Sequence, residues 1–315
     1  MNPELKRIAG RQGGVFSRRQ ASDAGYTPAE MRERLAQGKW ERIRYGQYAE
    51  RTDWTGIAPW EQRLRRHRLL IHAAMNAMHR GSAVVSHHSA LVLHGIPVWQ
   101  ADLEEVQLTR VNARAGVMAG VRHHQARLPP EDVTTVEHLP ATSVARALVE
   151  VASTATFAAA VISADAVLRR PEVTPADLWR LAETTEHWPG SPMIRRALAF
   201  ANRLSESVGE SRTRILMRDE GLPPPQLQVE FADAEGFIGR VDFFFPEYGT
   251  VVEFDGLLKY GGNSADALIR EKLREDRLRA LGLEVVRITW QDLDDPARVA
   301  AMIRRAFARG RRTSA

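Results

Sequence analysis

The chain contains no cysteine, which excludes disulfides, thiolate zinc sites and cysteine nucleophiles. Lysine is nearly as scarce. Of 44 basic residues only four are lysine (Lys6, Lys39, Lys259 and Lys272), and the other 40 are arginine. Long apolar runs are missing too: the most apolar stretch, Phe157 to Leu168, contains Asp165 and is far too short to span a bilayer. The opening, Met1-Asn2-Pro3-Glu4-Leu5-Lys6-Arg7, has no apolar signal-peptide core. A soluble, cytoplasmic protein with no membrane partner is expected. What is present is ordinary for a globular chain, with 315 residues, 44% of them hydrophobic and 26% charged. That length suggests two domains, or three small ones.

The net charge of +5 is unevenly spread. Residues 1–55 carry 11 cations against 7 anions, and residues 201–297 carry 12 against 19. From Arg298 onward there are six arginines and no acid. Basic ends suit a polyanion such as nucleic acid. The acidic block between them is where a divalent-metal site would be sought.

Residues 1–55 read as three short helices and a hairpin. Pro3 to Arg11 is stopped by Gly13-Gly14, and Ser17 caps Arg18 to Ala24. Thr27-Pro28-Ala29-Glu30 has the form of a capping box opening a helix that runs to about Gln37. Trp40 to Tyr48 then alternates bulky and polar residues around Gly46, as a short hairpin does. This is the order of a winged helix-turn-helix. Its third helix would offer Arg32, Arg34 and Gln37 to the major groove, and Lys39, Arg42 and Arg44 on the wing would hold phosphates. The segments Gly13 to Gln20, the capped third helix and Arg44-Tyr45-Gly46-Gln47-Tyr48 resemble the N-terminal domain of AbiEi-type antitoxins. The resemblance implies operator binding, autoregulation and a cognate toxin.

Residues 60–190 carry weaker chemistry. Trp60 to Arg80 is an arginine-rich helical segment, and Ser86-His87-His88-Ser89-Ala90-Leu91-Val92-Leu93-His94-Gly95 brings three histidines within eight residues. His88 and His94 fall on neighbouring turns. No HExxH pattern occurs and no carboxylate or cysteine stands at ligand spacing, so the histidines are read as structural. Strand-like segments at Glu105–Thr109 and Gly120–His124 and a Thr-Ser-capped helix from Val144 follow. The Ser-His-His-Ser-Ala string and that helix are similar to the middle region of actinobacterial AbiEi-like proteins, and a binding or scaffold role is expected. His187 to Pro192 marks the break before the last domain.

Residues 201–297 read as α-β-β-β-α-β. A helix from Ser205 to Glu220 is followed by strands at Gln226–Phe231, Arg240–Phe245 and Thr250–Asp255, a helix at Ala265–Leu281 and a strand at Leu283–Trp290. Residues two apart on a strand share a face, so Glu253 and Asp255 point the same way. With Asp242 on the neighbouring strand, three carboxylates would converge within ~5–8 Å. An oxygen-only set of that kind suits Mg²⁺ or Mn²⁺ and metal-assisted phosphodiester hydrolysis. The strings Val241 to Pro246, Val252 to Tyr260, Arg274 to Leu278 and Val286 to Trp290 resemble the PD-(D/E)XK nuclease superfamily, nearest to domains similar to very-short-patch-repair endonucleases. The resemblance implies a restriction-endonuclease-like core with Asp242 and Glu253 as metal carboxylates and Glu210 as an accessory ligand. It departs at Asp255, which stands where the superfamily has lysine. Lys259 and Lys272 are the candidates for a migrated lysine, because arginine does not replace an ammonium in proton transfer.

The expected architecture is therefore α+β and multidomain: a winged helix at 1–55, a mixed α/β region at 60–190, a nuclease-like domain at 201–297 and a basic tail at 298–315. A Mg²⁺-dependent endonuclease acting on double-stranded DNA is the leading expectation. The rival is an AbiEi-like antitoxin and autoregulator whose nuclease fold is inactive.

Overall fold

Ser17 and Thr27 each accept from the backbone N–H three residues on, while the Gln20 and Glu30 side chains accept from the two cap N–H groups. Four otherwise orphaned helix-end donors are satisfied by purely local sequence, which is why these short helices start where they do. The structure is a computed structural model that describes residues 1–79, 81–111, 114–256 and 265–313. Among the described residues the chain is mixed α/β, with twelve α-helices and three sheets. It divides into two compact units, Met1–Ser163 with Glu172–Ala199, and Ala164–Pro171 with Phe200–Ala315.

The N-terminal unit begins with α1 (Pro3–Gly10), β1 (Val15–Ser17), α2 (Arg18–Asp23), α3 (Pro28–Ala36), β2 (Trp40–Arg44) and β3 (Gln47–Glu50). The three strands pair antiparallel in the order β1-β3-β2. Leu5, Ala9, Phe16, Ala21, Tyr26, Met31 and Trp40 form the small core between helices and hairpin. Beyond it come α4 (Pro59–Asn76), β4 (Val84–Val85), α5 (His87–Leu93), β5 (Val106–Arg110), β6 (Gly116–Met118), β7 (Val121–Gln125), β8 (Val133–Val136), β9 (Leu139–Thr142) and α6 (Val144–Thr154). The strands make a six-stranded mixed sheet of order β6-β7-β5-β4-β9-β8. Helices α7 (Phe157–Leu168), α8 (Pro175–Thr184) and α9 (Ser191–Phe200) follow, with α7 from Ala164 onward counted in the C-terminal unit. Residues 1–55 and the six-stranded sheet thus belong to one unit, where the sequence suggested two separate modules.

The C-terminal unit contains α10 (Val208–Asp219), β10 (Gln226–Asp233), β11 (Gly236–Phe245), β12 (Thr250–Asp255), α11 (Ala265–Ala280), β13 (Glu284–Thr289) and α12 (Pro296–Thr313). Its sheet has the order β10-β11-β12-β13, with the first two pairings antiparallel and β12–β13 parallel across the α11 crossover. One core gathers Phe243, Phe245, Val252 and Ile288 of the sheet with Leu216 and Met217 of α10 and Val299, Ile303 and Phe307 of α12. A second joins Val241, Val251 and Val285 to Leu278 of α11. The sheet is covered by helices on both faces.

The segment 298–315, expected as a basic tail, is corrected by this packing. Val299, Ala300, Ile303, Ala306 and Phe307 recur at helical spacing and are buried, so α12 is an integral core helix, with Arg298, Arg304, Arg305 and Arg309 exposed. Among the described residues no helix is long and apolar enough to cross a membrane.

Candidate functional site

The candidate site of the C-terminal unit lies where β11 and β12 part. The antiparallel register runs from Phe245↔Thr250 to Phe243↔Val252 and stops there. One step further, the Phe254 N–H donates to Oδ2 of Asp242 at 2.8 Å. A side-chain carboxylate thus replaces the next ladder carbonyl and holds the splayed strand end. On β10, Gln228 has φ +54°, a left-handed conformation costly for a residue with a Cβ. Its Nε2 donates to Glu210 Oε2 at 3.0 Å and to Asp242 Oδ1 at 3.3 Å.

Glu210 reaches the site because the start of α10 packs directly on β12. A Cβ built on Gly209 would lie 1.9 Å from the Phe254 ring, so only glycine allows this approach. Ser207 caps the helix on the Glu210 N–H at 3.1 Å, and Glu210 Oε2 also accepts from the Glu206 N–H at 2.8 Å. Glu253, 9% exposed, faces α11. Arg274 grips both its oxygens, at 2.5 Å to Oε1 and 3.2 Å to Oε2. Arg287, opposite Glu253 on β13, stands 3.9 Å away and binds Glu271 and Glu275 of α11 at 2.5 and 3.0 Å.

Burial pushes the Asp242 carboxyl up to about 6, and the Glu210 and Glu253 charges push it the same way. The Phe254 N–H and the Gln228 amide work against that rise. The folded state therefore holds a proton that the unfolded chain, with an ordinary value of 3.8, gives up. This contribution to stability is complete below the unfolded value and is lost as pH rises through about 6. Asp242→Asn is accordingly expected to raise stability by about 1–3 kcal/mol near neutral pH. Thermal unfolding across pH checks this: the gain should vanish below the unfolded value, and a variant less stable than wild type at neutral pH would contradict the assignment.

The sequence suggested Asp242, Glu253, Asp255 and Glu210 around Mg²⁺ or Mn²⁺, but the geometry differs. Among the described residues no three His, Asp or Glu side chains stand in an arrangement that would hold a metal ion. Both Glu253 oxygens, both Asp242 oxygens and Glu210 Oε2 already accept hydrogen bonds from the chain itself. As arranged, these oxygens are engaged by the chain's own donors, with the Arg274 guanidinium on Glu253. Asp255 is half-buried at the end of β12, beside Thr289 in the parallel register. Lys272 is exposed on α11, and Lys259 lies outside the described residues. Sequence reasoning assigned no role to Gln228, Arg274 or Arg287. The Arg274-Glu275-Asp276-Arg277 string carried a signal, but nothing local in it names Glu253 as the partner.

In the N-terminal unit, Arg32, Lys39 and Arg42 are exposed. Arg34 is half-buried, its guanidinium 5.0 Å from the Tyr26 ring centre and 5.5 Å from that of Trp40, where it covers the small core. The Gln37 amide donates to Glu33 at 2.7 Å. Arg44, expected on a phosphate, instead donates to the Ala119 carbonyl at 2.8 Å, because the six-stranded sheet belongs to the same unit. His88 and His94 do not meet as ligands: their Nε2 atoms bond the Glu105 and Thr142 carbonyls at 3.1 and 2.9 Å.

Comparison with known proteins adds two findings. Residues 3–50 match the family described as "Transcriptional regulator, AbiEi antitoxin". Over 243 residues the chain is 29% identical to uncharacterized proteins of two Mycobacterium tuberculosis strains, CDC 1551 / Oshkosh and ATCC 25618, covering 76% of this chain and 86% of theirs.

Proposed function

We propose that the protein is a DNA-binding transcriptional regulator of the AbiEi antitoxin kind, whose N-terminal helix-turn-helix and wing bind double-stranded operator DNA. The match of residues 3–50 to that regulator family carries the reading. The exposed cations Arg32 at the third helix and Lys39 and Arg42 at the hairpin support it. Arg32 reads base edges, while Lys39 and Arg42 neutralise phosphates and set the register. A cognate toxin is the partner this reading implies. In the C-terminal unit, Arg274 supplies the positive charge at Glu253, and the nuclease-like αβββαβ core is a catalytically silent scaffold.

A gel shift on DNA spanning the protein's own promoter tests this. Arg32→Ala should weaken binding by about 1–3 kcal/mol and relax specificity. Arg42→Ala should weaken binding across all sequences and flatten the salt dependence by about one unit of slope. Unchanged affinity in both variants would remove residues 1–55 from DNA recognition.

A second reading is favoured by one observation, the raised Asp242 carboxyl beside Glu210 and Glu253. In it the C-terminal unit is a Mg²⁺- or Mn²⁺-dependent endonuclease, with Lys272 or Lys259 in place of the superfamily lysine. A bound cation would supply a hydroxide nucleophile and screen phosphate charge. Asp242 and Glu253 would hold it once Arg274 released Glu253. Plasmid cleavage in either metal, abolished by Asp242→Ala and by Glu253→Ala, would establish this reading over the silent one.

A further inference from the structure

The N-terminal unit holds a second cluster of titratable groups that DNA binding does not use. A cavity of about 450 Å³ is lined by His87, His88, Trp99, Gln107, Arg122 and His124, among others. That volume falls within the roughly 300–1,000 Å³ of small-molecule sites. His87 and His124 are stacked, with ring centres 3.7 Å apart and planes at 17°. His124 Nε2 donates to Gln107 Oε1 at 2.6 Å, and Gln107 Nε2 donates to Glu105 at 2.8 Å. Glu105 in turn accepts from Arg122 at 2.6 and 3.1 Å. Rings, amide and guanidinium are thus held in one connected arrangement.

The backbone around the cavity is strained. His87 has φ +51° and Gln100, also in the lining, φ +54°. Each left-handed residue with a Cβ costs roughly 1–2 kcal/mol. The chain holds His87 there through its N–H, which donates to the buried Glu150 carboxylate at 3.0 Å. Arg146 and Thr142 fix Glu150 at 3.1 and 3.2 Å. Strain maintained by a buried network in a cavity wall is a mark of functional sites. Burial pushes the His87 and His124 imidazoles down, to about 3 and about 4, so both rings are neutral near pH 7. Among the described lining residues Arg122 is the only one with a fixed charge. Its pair with Glu105 engages Nε and Nη2, which leaves Nη1 as the donor for an anionic group.

We propose that this cavity binds a small planar aromatic anion, its ring against Trp99 and the histidine pair and its anionic group on Arg122. A neutral imidazole donates at one ring nitrogen and accepts at the other. The bonds to Ser86 and Gln107 use His87 Nδ1 and His124 Nε2, so His87 Nε2 and His124 Nδ1 are the atoms that suit ring heteroatoms. Three aromatic rings supply stacking surface, and a guanidinium suits phosphate or carboxylate. A mononucleotide and a free aromatic acid share this chemistry, and the experiment separates them.

Full-length protein is titrated by calorimetry and saturation-transfer NMR with adenosine, guanosine, cytidine and uridine 5′-monophosphate, and separately with salicylate and indole-3-acetate. At least one probe is expected to bind saturably in the micromolar to millimolar range, with transfer to its ring protons. Binding confined to the nucleotides, or to the carboxylates, identifies the source. Arg122→Gln should weaken that binding roughly tenfold or more, the loss of one charge-assisted contact. Trp99→Ala should weaken it comparably. The Arg122 side chain is 46% exposed, so its variant keeps the proposal testable if Trp99→Ala fails to fold. No saturable binding by any probe, or binding that Arg122→Gln leaves intact, would overturn the proposal.

Discussion

Removing the Asp165 carboxylate by Asp165→Ala is expected to destabilise the C-terminal unit by about 3–5 kcal/mol. Asp165 is 0% exposed and accepts from Arg214 Nη2 at 2.8 Å on each oxygen. It also accepts from the Ser211 hydroxyl and the Asn202 N–H, both at 2.7 Å. Without it, the buried guanidinium loses its counter-charge and keeps only the Phe200 carbonyl, the Asn202 N–H loses its acceptor, and the Ser211 hydroxyl is left with the Ser207 carbonyl. Urea unfolding followed by circular dichroism checks the prediction. Arg214→Ala should cost a similar amount, and the double variant should cost clearly less than the sum, because the two changes remove one shared interaction. Additive losses would show that the pair does not act as a unit.

Arg274→Ala should cost about 3 kcal/mol by leaving Glu253 buried beside Asp242 and Glu210 with its main counter-charge gone. Arg287, at 3.9 Å and already bound to Glu271 and Glu275, replaces it only in part. Adding Glu253→Gln should recover part of the loss, since an amide needs no counter-ion. The same variant speaks to function. Where Arg274 stands in for a cation, its removal should let Mn²⁺ raise the thermal midpoint of the variant more than that of wild type. An Arg274→Ala protein as stable as wild type would show that the ion pair contributes nothing.

Much of the local structure was readable beforehand. The Ser17 cap and the Thr27 capping box act within four residues and appear as expected, and Gln20 completes a box at Ser17 as well. The α-β-β-β-α-β order of the C-terminal unit follows from strand alternation and from Gly and Pro stops, which are also short-range. The histidines of the Ser86–Gly95 string illustrate a mixed outcome: His88 and His94 are held by backbone carbonyls, but His87 is strained and stacked on a ring 37 residues away.

By itself, the sequence determined where the short helices of residues 1–55 are capped, the α-β-β-β-α-β order of residues 201–297, which strand positions carry acids, and that the ends are basic. It did so because caps, turns and periodicity are decided by neighbours along the chain. Tertiary structure alone decided which cation meets which anion. Arg274 reaches Glu253 across 21 residues, and Arg44 is drawn to a carbonyl 75 residues away. Packing also turned the arginine-rich end into a core helix and rotated Gln228 onto two carboxylates. An arginine has the same charge and reach wherever it stands in the chain. Its partner is chosen only when the sheet and its covering helices bring distant residues together and exclude the water that would otherwise solvate them.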